Sequence, residues 1–545
     1  MAISTPLPCE KGVVLADPAT SPCTAEQGRW ILVATVLGSS MVFIEGTVVN
    51  VVLPVLQREM NASVADVQWV VVAYALILAS LLLIGGSLGD HYGRRLIFGV
   101  GVAIFGLASI ACGLVSSIDQ LIIARAVQGV GGALLVPGSL ALISASFDGE
   151  RRGAAIGTWS GFSSISAGVG PLVGGWLIEN VSWRWAFLMT APMAVAVLAI
   201  LFWKVPESRD ETAPRSLDWT GALLATSGLR FIVSGLIESA NRGITDILVV
   251  GVVVLGFAAL GTFVAFEQRS SAPMMPVSLF RSRTFSGANL LTLLLYTAMI
   301  GATFYLPFNL IQVRGYSATA AGAALLPFVL LVFLLSRWSG GLVTRTGPKL
   351  PLVVGPTNAA LGLALLAVPG TGGSYWTTFF PAIAVLGLGM AVAIAPLTTT
   401  VMGAVDQRFA GVASGINNTA SRTAGAVAVA IMSVVMLGAF DSSVDDRVDD
   451  LGLTPEQITA LDDEKVNLAA AALPDGLDAE TTARVEAAID DAFVSAFRIV
   501  AIASSVLALM SAVVAALMIE GKATRTEAAA RDDPVPRARA RTSTV

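Results

Sequence analysis

The feature that most constrains this chain is a series of long apolar stretches that recurs from residue 30 to residue 519. Each stretch has about 18 residues or more, which is enough to cross a hydrocarbon core of roughly 30 Å. Hydrophobic residues make up 55% of the 545 residues and charged residues only 13%. An ordinary soluble domain carries about 25% charged residues. The sequence therefore predicts an all-α polytopic membrane protein.

About fourteen windows have the length and apolar character of membrane-spanning helices. They lie near residues 30–53, 67–88, 97–115, 121–146, 154–178, 186–203, 219–237, 247–266, 285–312, 319–343, 350–369, 376–402, 411–439 and 493–519.

The loops between these windows differ in their content of lysine and arginine. The short loops that follow even-numbered windows, and the C-terminal tail, hold most of the basic residues. The positive-inside rule then predicts a multi-pass protein of the cell (cytoplasmic) membrane with both termini in the cytoplasm. The polar N-terminal stretch lacks the charged start, short apolar core and cleavage site of a signal peptide, so we expect the first helix to be retained.

Residues 440–492 form an acidic stretch that we expect to be an external loop. It carries 15 acidic and three basic side chains, whereas the whole chain has a net charge of −5. Thr454 and Pro455 occupy the N-cap and first-turn positions of a predicted short helix. A solvated spacer is the ordinary interpretation of such a charge run, and a lid or cation-collecting surface is the alternative.

A weak repeat relates two loops that lie eight predicted helices apart. The loop "GSLGDHYGRR", Gly86–Arg95, aligns without gaps on "GGLVTRTGPK", Gly340–Lys349. Two six-helix bundles with two extra helices inserted between them give that offset, and parallel repeats of this kind are a transporter architecture. The expected domains are a tail 1–28, a bundle 29–203, the inserted helices 204–267, a bundle 268–519 and a tail 520–545.

Six stretches of the sequence stand out as motifs. They are "FIEGTVVNVVLP" (Phe43–Pro54), the loop Gly86–Arg95, "RAVQGVGGALLVPG" (Arg125–Gly138), "AGVGPLVGGWL" (Ala167–Leu177), "SWRWAFLMTAPM" (Ser182–Met193) and "GVASGINNTASRTAG" (Gly411–Gly425). These motifs resemble those of the major facilitator superfamily, and within it the fourteen-helix drug:proton antiporters. Glu45 stands in the first motif, where that family commonly has Asp.

The resemblance implies the major facilitator fold and a proton-coupled exporter of lipophilic or amphiphilic small molecules. A dedicated exporter of one metabolite or lipid is the alternative, and a membrane-embedded enzyme is a remote one. Small residues in Ala167–Leu177 also predict a face on which two helices approach closely.

Four charged residues fall deep inside predicted helices: Glu45, Arg125, Arg230 and Arg422. Charges at mid-bilayer cost about 2.5–3.5 kcal/mol on insertion scales and are functional candidates by default. Glu45 and Arg125 lie at similar depths, although their Cβ directions slightly disfavour contact. Burial favours the neutral acid whereas an ion pair favours the charged one, so this pair is our candidate for proton coupling. A static pair that locks two helices is the alternative.

Two further sets of residues complete the expected sites. Asp90, Arg94 and Arg95 are candidates for a conformational latch, and basic charge that only sets topology is the alternative. With one deep acid against three deep arginines, a neutral, zwitterionic or amphiphilic substrate fits better than a dication. The candidate substrate-binding residues, each of which is equally consistent with a hydrogen bond between helices, are Asn50, Trp69, Tyr74, Gln128, Tyr296, Asn309, Gln312, Asn417 and Arg422.

Other chemistries lack their motifs in this sequence. There is no GxxxxGK[ST] phosphate loop, no HExxH, and a single histidine, His91. We therefore expect no cofactor, no metal, no catalytic residue and no nucleic-acid partner. The expected partners are a small-molecule substrate, protons and the lipid bilayer, and we expect a monomer.

Overall fold

The computed structural model describes residues 25–147, 149–208, 218–270, 273–405, 410–448, 451–474 and 476–521. Thirteen helices in these ranges are long and apolar enough to cross a membrane, and Lys349–Leu365, with 17 residues, is at the short end of that range. In chain order they are α1 (Ala25–Glu59), α2 (Val64–Tyr92), α3 (Arg94–Leu114), α4 (Ile118–Ser146), α5 (Gly149–Asn180), α6 (Trp185–Lys204), α7 (Trp219–Arg242), α8 (Ile247–Glu267), α9 (Arg283–Phe308), α10 (Ala318–Ser336), α11 (Lys349–Leu365), α12 (Tyr375–Gly403), α13 (Ala410–Val448) and α14 (Ala479–Met518).

The fourteen predicted windows correspond one to one with α1–α14, and the all-helical membrane fold is confirmed. Polar side chains begin many of these helices by accepting a hydrogen bond from a first-turn backbone N–H. Ser63 forms a capping box with Asp66 at the start of α2, and Asp246 caps α8. These caps begin the helices within the short loops that the hydropathy pattern predicts.

The ends of the helices form two opposite faces of the molecule, a terminal face and a loop face. The terminal face carries the start of α1 and the end of α14, and there Lys204 pairs with Glu26 at 3.5 Å. The loop face carries the segment between α13 and α14.

The acidic stretch is only partly a loop. Helix α13 continues to Val448 and α14 begins at Ala479, because a helix retains its hydrogen bonds in water beyond the bilayer. The predicted short helix is confirmed as Pro455–Glu464, capped by Thr454, and a 3₁₀ turn, Lys465–Ala470, follows it. Leu461 and Leu468 are buried in the core of the molecule. The segment is therefore packed on the helix bundle and is more than a solvated spacer.

Lys465 attaches this segment to α13. Its ammonium group lies 3.1 Å from Asp441 and 2.7 Å from Asp462, and it also pairs with Asp445. Burial alone lowers the pKa of Lys465, but the hydrogen bonds that its ammonium group donates to three carboxylates outweigh that effect and raise the pKa above its ordinary value. The lysine is therefore held in its charged form.

The predicted small-residue face of α5 is confirmed. A Cβ added at Gly174 would lie 1.9 Å from Val48 of α1, and one at Gly175 would lie 2.4 Å from the carbonyl oxygen of Ala318 in α10. Close approach of this kind requires glycine. Helix α5 therefore joins a helix of the first half of the chain to one of the second half.

The inserted helices form a hairpin in which α8 packs on α7, and α7 also contacts α2 and α13. The hairpin thus lies beside one helix from each half. Hydrogen bonds between described residues of the two halves lie toward the loop face, where Gln57 of α1 bonds Gln312 at 3.0 Å and the carbonyl of Asn467 at 2.9 Å.

Candidate functional site

Helices α1, α4 and α6 converge on a buried carboxylate. Glu45 and Arg125 are both fully buried, and Oε2 of Glu45 lies 3.5 Å from Nη1 of Arg125. The other oxygen, Oε1, accepts a hydrogen bond of 3.0 Å from the hydroxyl of Thr190. The two side chains that the sequence places at similar depth do meet, and an arginine side chain is long enough to overcome unfavourable Cβ directions.

Arg125 is held from several directions. Its Nε donates to the carbonyl of Val70 at 3.1 Å, and Nη1 donates to Oε1 of Gln128 at 2.5 Å. Gln128 in turn donates to Ser109 at 2.6 Å, which ties the cluster to α3. Backbone and side-chain acceptors therefore fix the guanidinium whether or not Glu45 is charged.

An aromatic ring covers the guanidinium of Arg125. The centre of the guanidinium lies 4.3 Å from the ring centroid of Tyr74 and 5.9 Å from that of Phe187. Such contacts stabilise a desolvated cation by about 2 kcal/mol or more. Nη2 of Arg125 and the hydroxyl of Tyr74 are buried without a hydrogen-bond partner among the described residues. The site therefore keeps a fixed positive charge and spare donors beside one acid.

This arrangement has a defined chemistry. When Glu45 is ionised, its charge is balanced by Arg125 and by the hydroxyl of Thr190. When Glu45 is neutral, Arg125 retains Gln128 and the carbonyl of Val70 as acceptors. The guanidinium of Arg125 therefore keeps hydrogen-bond acceptors in both protonation states of Glu45.

Comparison with known proteins identifies the fold. Residues 35–429 match the family model of the Major Facilitator Superfamily. The chain belongs to that superfamily. It is 32% identical over 527 residues to the tetracenomycin C resistance and export protein of Streptomyces glaucescens, covering 95% of this chain and 96% of the relative.

The chain is also similar to a second relative and, in its fold, to a solved structure. The chain is 37% identical to the multidrug resistance protein Stp of Mycobacterium tuberculosis (strain CDC 1551 / Oshkosh) over 388 residues, 71% of each protein. Its fold is similar to the crystal structure of a bacterial homolog of the human lysosomal transporter Spinster in an inward-facing, unoccupied conformation. That likeness has a TM-score of 0.65 at 18% identity, and it covers 90% of this chain and 97% of the other.

The first turn of α3, which follows the loop after α2, is bound to the segment after α6. The carboxylate of Glu207 accepts hydrogen bonds from the backbone N–H groups of Arg95 (2.9 Å) and Leu96 (3.1 Å), and it lies 3.7 Å from Nε of Arg95. A carboxylate at this position also complements the N-terminus of α3. The side chain of Asp90 lies outside the described residues. Arg94 is bound through its backbone N–H to the carbonyl of Ser208 at 2.7 Å.

The substrate candidates fall into three groups. Three of them make hydrogen bonds between separate elements: Gln128 with Ser109 of α3, Gln312 with Gln57 at the loop face, and Asn417 with Asn289 (3.2 Å) and Thr292 (2.6 Å). Tyr74 lies against Arg125, and Asn309 is buried with its Oδ1 unpaired among the described residues. The others, which are partly buried, are Asn50, Trp69, Tyr296 and Arg422.

Arg422 bridges the two halves. Its guanidinium lies 5.7 Å from the ring centroid of Phe43, which is two residues before Glu45 on α1. A cation from α13 in the second half therefore faces an aromatic side chain of the first half near the buried pair.

Two functional neighbours were not found from the sequence. Thr190 donates to Glu45 across 145 positions of the chain, and a lone threonine in an apolar helix gives no signal. Glu207 follows α6 in "VPES", and its position close to basic Arg94 and Arg95 in the fold is not visible in the sequence.

Proposed function

We propose that this protein is a proton-driven exporter that moves lipophilic or amphiphilic small molecules out of the cell. The buried Glu45–Arg125 pair is the main observation that supports the proposal. Ionisable side chains are energetically costly inside a membrane, so those that occur there usually have a function. The names of the relatives, which include resistance and export proteins, support the choice of substrate class.

Glu45 would carry the coupling proton. Protonation removes the attraction between Glu45 and Arg125, while Gln128 and Val70 keep the guanidinium in place. Loss of the proton restores the pair. Each exchange changes the charge of a dry site by one, and such a change is large enough to bias a two-state rocking of the two halves.

The protein would lie in the cytoplasmic membrane as a monomer with both termini inside and the loop face outside. The domain division would be bundles 29–203 and 268–519 flanking the inserted helices 204–267, and we propose no catalytic reaction. Asp90, Arg94 and Arg95 would act as a latch whose rearrangement accompanies rocking.

The substrate would bind between the halves. Arg422, Tyr74, Tyr296 and Asn309 offer aromatic surface and hydrogen-bonding groups there. The other substrate candidates would line the same path: Asn50, Trp69, Gln128, Gln312 and Asn417.

The deciding experiment is export driven by a pH gradient in vesicles, with protein levels matched. Glu45→Gln mimics the neutral acid and should abolish export, whereas Glu45→Asp should keep part of it. Glu59→Gln, on an exposed acid of the same helix, is the matched control and should transport normally. Near-normal export by Glu45→Gln would show that Glu45 is structural.

A second candidate is a dedicated exporter of a single compound. The relative that covers 95% of this chain is named for one compound, tetracenomycin C. Growth inhibition with a panel of chemically unrelated toxic compounds separates the two. A multidrug exporter protects cells against several of them, and a dedicated exporter against almost none.

A further inference from the structure

The hairpin α7–α8 brings two carboxyl groups together on the terminal side. Asp218 is the N-cap of α7, and Glu267 is the last residue of α8. Glu267 is only 2% exposed, although it is an acid with no basic partner among the described side chains. An isolated buried carboxylate is strongly disfavoured, so the environment of Glu267 has to compensate its charge or remove it.

Each of the two groups uses one oxygen to hold the backbone. Oδ1 of Asp218 accepts a hydrogen bond of 2.8 Å from the N–H of Gly221, which caps α7. Oε2 of Glu267 accepts one of 2.9 Å from the N–H of Met275, in the link that leads to α9. The acids therefore fasten the hairpin to itself and to the start of the second half.

The other two oxygens converge on Gly221. Oδ2 of Asp218 and Oε1 of Glu267 are both buried, and neither has a hydrogen-bond donor among the described residues. A Cβ added at Gly221 would lie 2.6 Å from the first oxygen and 2.7 Å from the second, so both oxygens border the space that glycine leaves open. Two buried acceptors that converge in this way are stabilised by a proton or a cation between them.

The surroundings favour a proton. Besides the pair itself, the described charged or titratable side chains on the hairpin, on the link to α9 and on the two helices that α7 contacts, α2 and α13, are Asp66, Tyr74, His91, Tyr92, Arg230, Glu238, Arg242, Asp246, Arg269, Arg281, Arg422, Asp441, Asp445, Asp446 and Arg447. No ion pair between described side chains joins any of these to the pair. The described residues also contain no group of three or more metal-ligating side chains. Ca²⁺ takes six to eight oxygen ligands, and Mg²⁺ about six, so two carboxylate oxygens are a poor cation site.

We propose that Asp218 and Glu267 are a proton-binding site in which the two carboxyl groups share one proton. One group is a carboxylic acid whose O–H donates to the carboxylate oxygen of the other, so the pair carries a single negative charge. The bound proton closes the hydrogen bond that ties α7 to the end of α8. The site lies in the inserted hairpin and is separate from the Glu45–Arg125 pair.

The proposal fixes the sign of a pH effect. The folded pair keeps its proton to a higher pH than the separate acids of the unfolded chain, which titrate near 4. Its contribution to stability is therefore complete below that range and is lost as pH rises through the titration of the folded pair. Asn or Gln at either position supplies a permanent N–H donor, so the variants should not lose this contribution.

The first test is thermal unfolding of the purified full-length protein in detergent between pH 5 and pH 8.5. The Tm of the wild type should fall relative to that of Asp218→Asn by a few degrees as pH rises, and Glu267→Gln should behave like Asp218→Asn. The matched control is Asp246→Asn, because Asp246 caps the neighbouring helix without an acidic partner and Asn also caps well. That control should follow the wild type at every pH.

The second test detects the proton itself, in an infrared spectrum of the Glu45→Gln background so that Glu45 contributes no signal. The carbonyl stretch of one buried carboxylic acid should be present at neutral pH and absent in both variants of the pair. A Tm difference that does not change with pH, or a spectrum without that band, would overturn the proposal. A wild-type-specific rise of Tm with Ca²⁺ or Mg²⁺ would overturn it in favour of a cation site. Neither measurement involves transport, so its outcome is independent of the proposed export.

Discussion

Gln57→Leu should shift the protein toward a conformation in which the loop face is open. Gln57 is 4% exposed, and its side-chain amide bonds both Gln312, in the turn that follows α9, and the carbonyl of Asn467. Leucine has nearly the same volume but bonds neither. Those two groups would be left unpaired in the closed arrangement, whereas water would satisfy them once the face opens.

The size of the shift follows from these two bonds. A typical hydrogen bond contributes about 0.5–1.5 kcal/mol net, and an unpaired buried group costs about 1–3 kcal/mol. A loss of about 2 kcal/mol from the closed state is therefore a conservative value. Since about 1.4 kcal/mol is a factor of ten, the open-to-closed ratio should rise roughly 30-fold.

Spin labels on the two halves measure this ratio. Val181, after α5, and Val368, after α11, lie at the loop face and are 54% and 72% exposed, so cysteines there can be labelled without disturbing the core. Gln57→Leu should increase the population with the longer distance. Gln120→Leu is the matched control, because the side chain of Gln120 bonds, among the described residues, only Ser116 of its own half. An unchanged distance distribution in Gln57→Leu, or an equal shift in the control, would refute the reasoning.

Two other substitutions test the packing around this face. Lys465→Met should lower the free energy of unfolding by about 1–2 kcal/mol, because three half-exposed carboxylates lose their counter-charge. Because the pKa of Lys465 is raised in the folded protein, its contribution to stability is complete below about pH 10.4 and is lost at more alkaline pH as the ammonium deprotonates. The wild type and Lys465→Met should therefore differ least in stability at strongly alkaline pH. Gly175→Ala should cost about 1–3 kcal/mol in thermal unfolding because its Cβ would overlap the carbonyl of Ala318, whereas Gly157→Ala, in open space on the same helix, should cost little. Equal effects of the two glycine substitutions, or a Lys465→Met protein as stable as wild type at neutral pH, would contradict these assignments.

The membrane fold could be predicted from the sequence because hydropathy is a local property. Every predicted window became a helix, including the marginal Lys349–Leu365. The helix ends were less predictable. Helix α13 continues through Asp441 and Asp445 to Val448, since nothing in those residues breaks a helix and a charged helix is stable outside the bilayer. The appearance of charged residues therefore predicts where the apolar, membrane-spanning part of a helix ends. It does not predict where the helix itself ends.

The candidate site was predictable only in its charged members. Glu45 and Arg125 stand out because deep charges are rare, and their depths suggested contact. Polar residues such as Gln128, Gln312 and Asn417 are ambiguous in a sequence, since substrate contacts and hydrogen bonds between helices use the same side chains. The three prove to bond other residues of the chain. Asp218 and Glu267, at helix ends 49 positions apart in the chain, gave no signal that they meet.

The position of Glu45 on α1 would connect the proposed proton exchange to the boundary between the halves. The Glu45–Arg125 pair lies inside the first half, yet α1 also carries Phe43 against Arg422 of α13 and Val48 against Gly174 of α5. Further along, Gln57 bonds the second half at the loop face. A helix with tight contacts on several sides moves as a unit, because packed interfaces change between discrete arrangements and resist gradual deformation. A small shift of α1, caused by breaking or making its buried ion pair, would therefore change the contacts of Arg422 and of Gln57 at the same time. For this reason an acid on α1 is better placed for coupling than one on α3 or α6, which lack such contacts with the second half among the described residues.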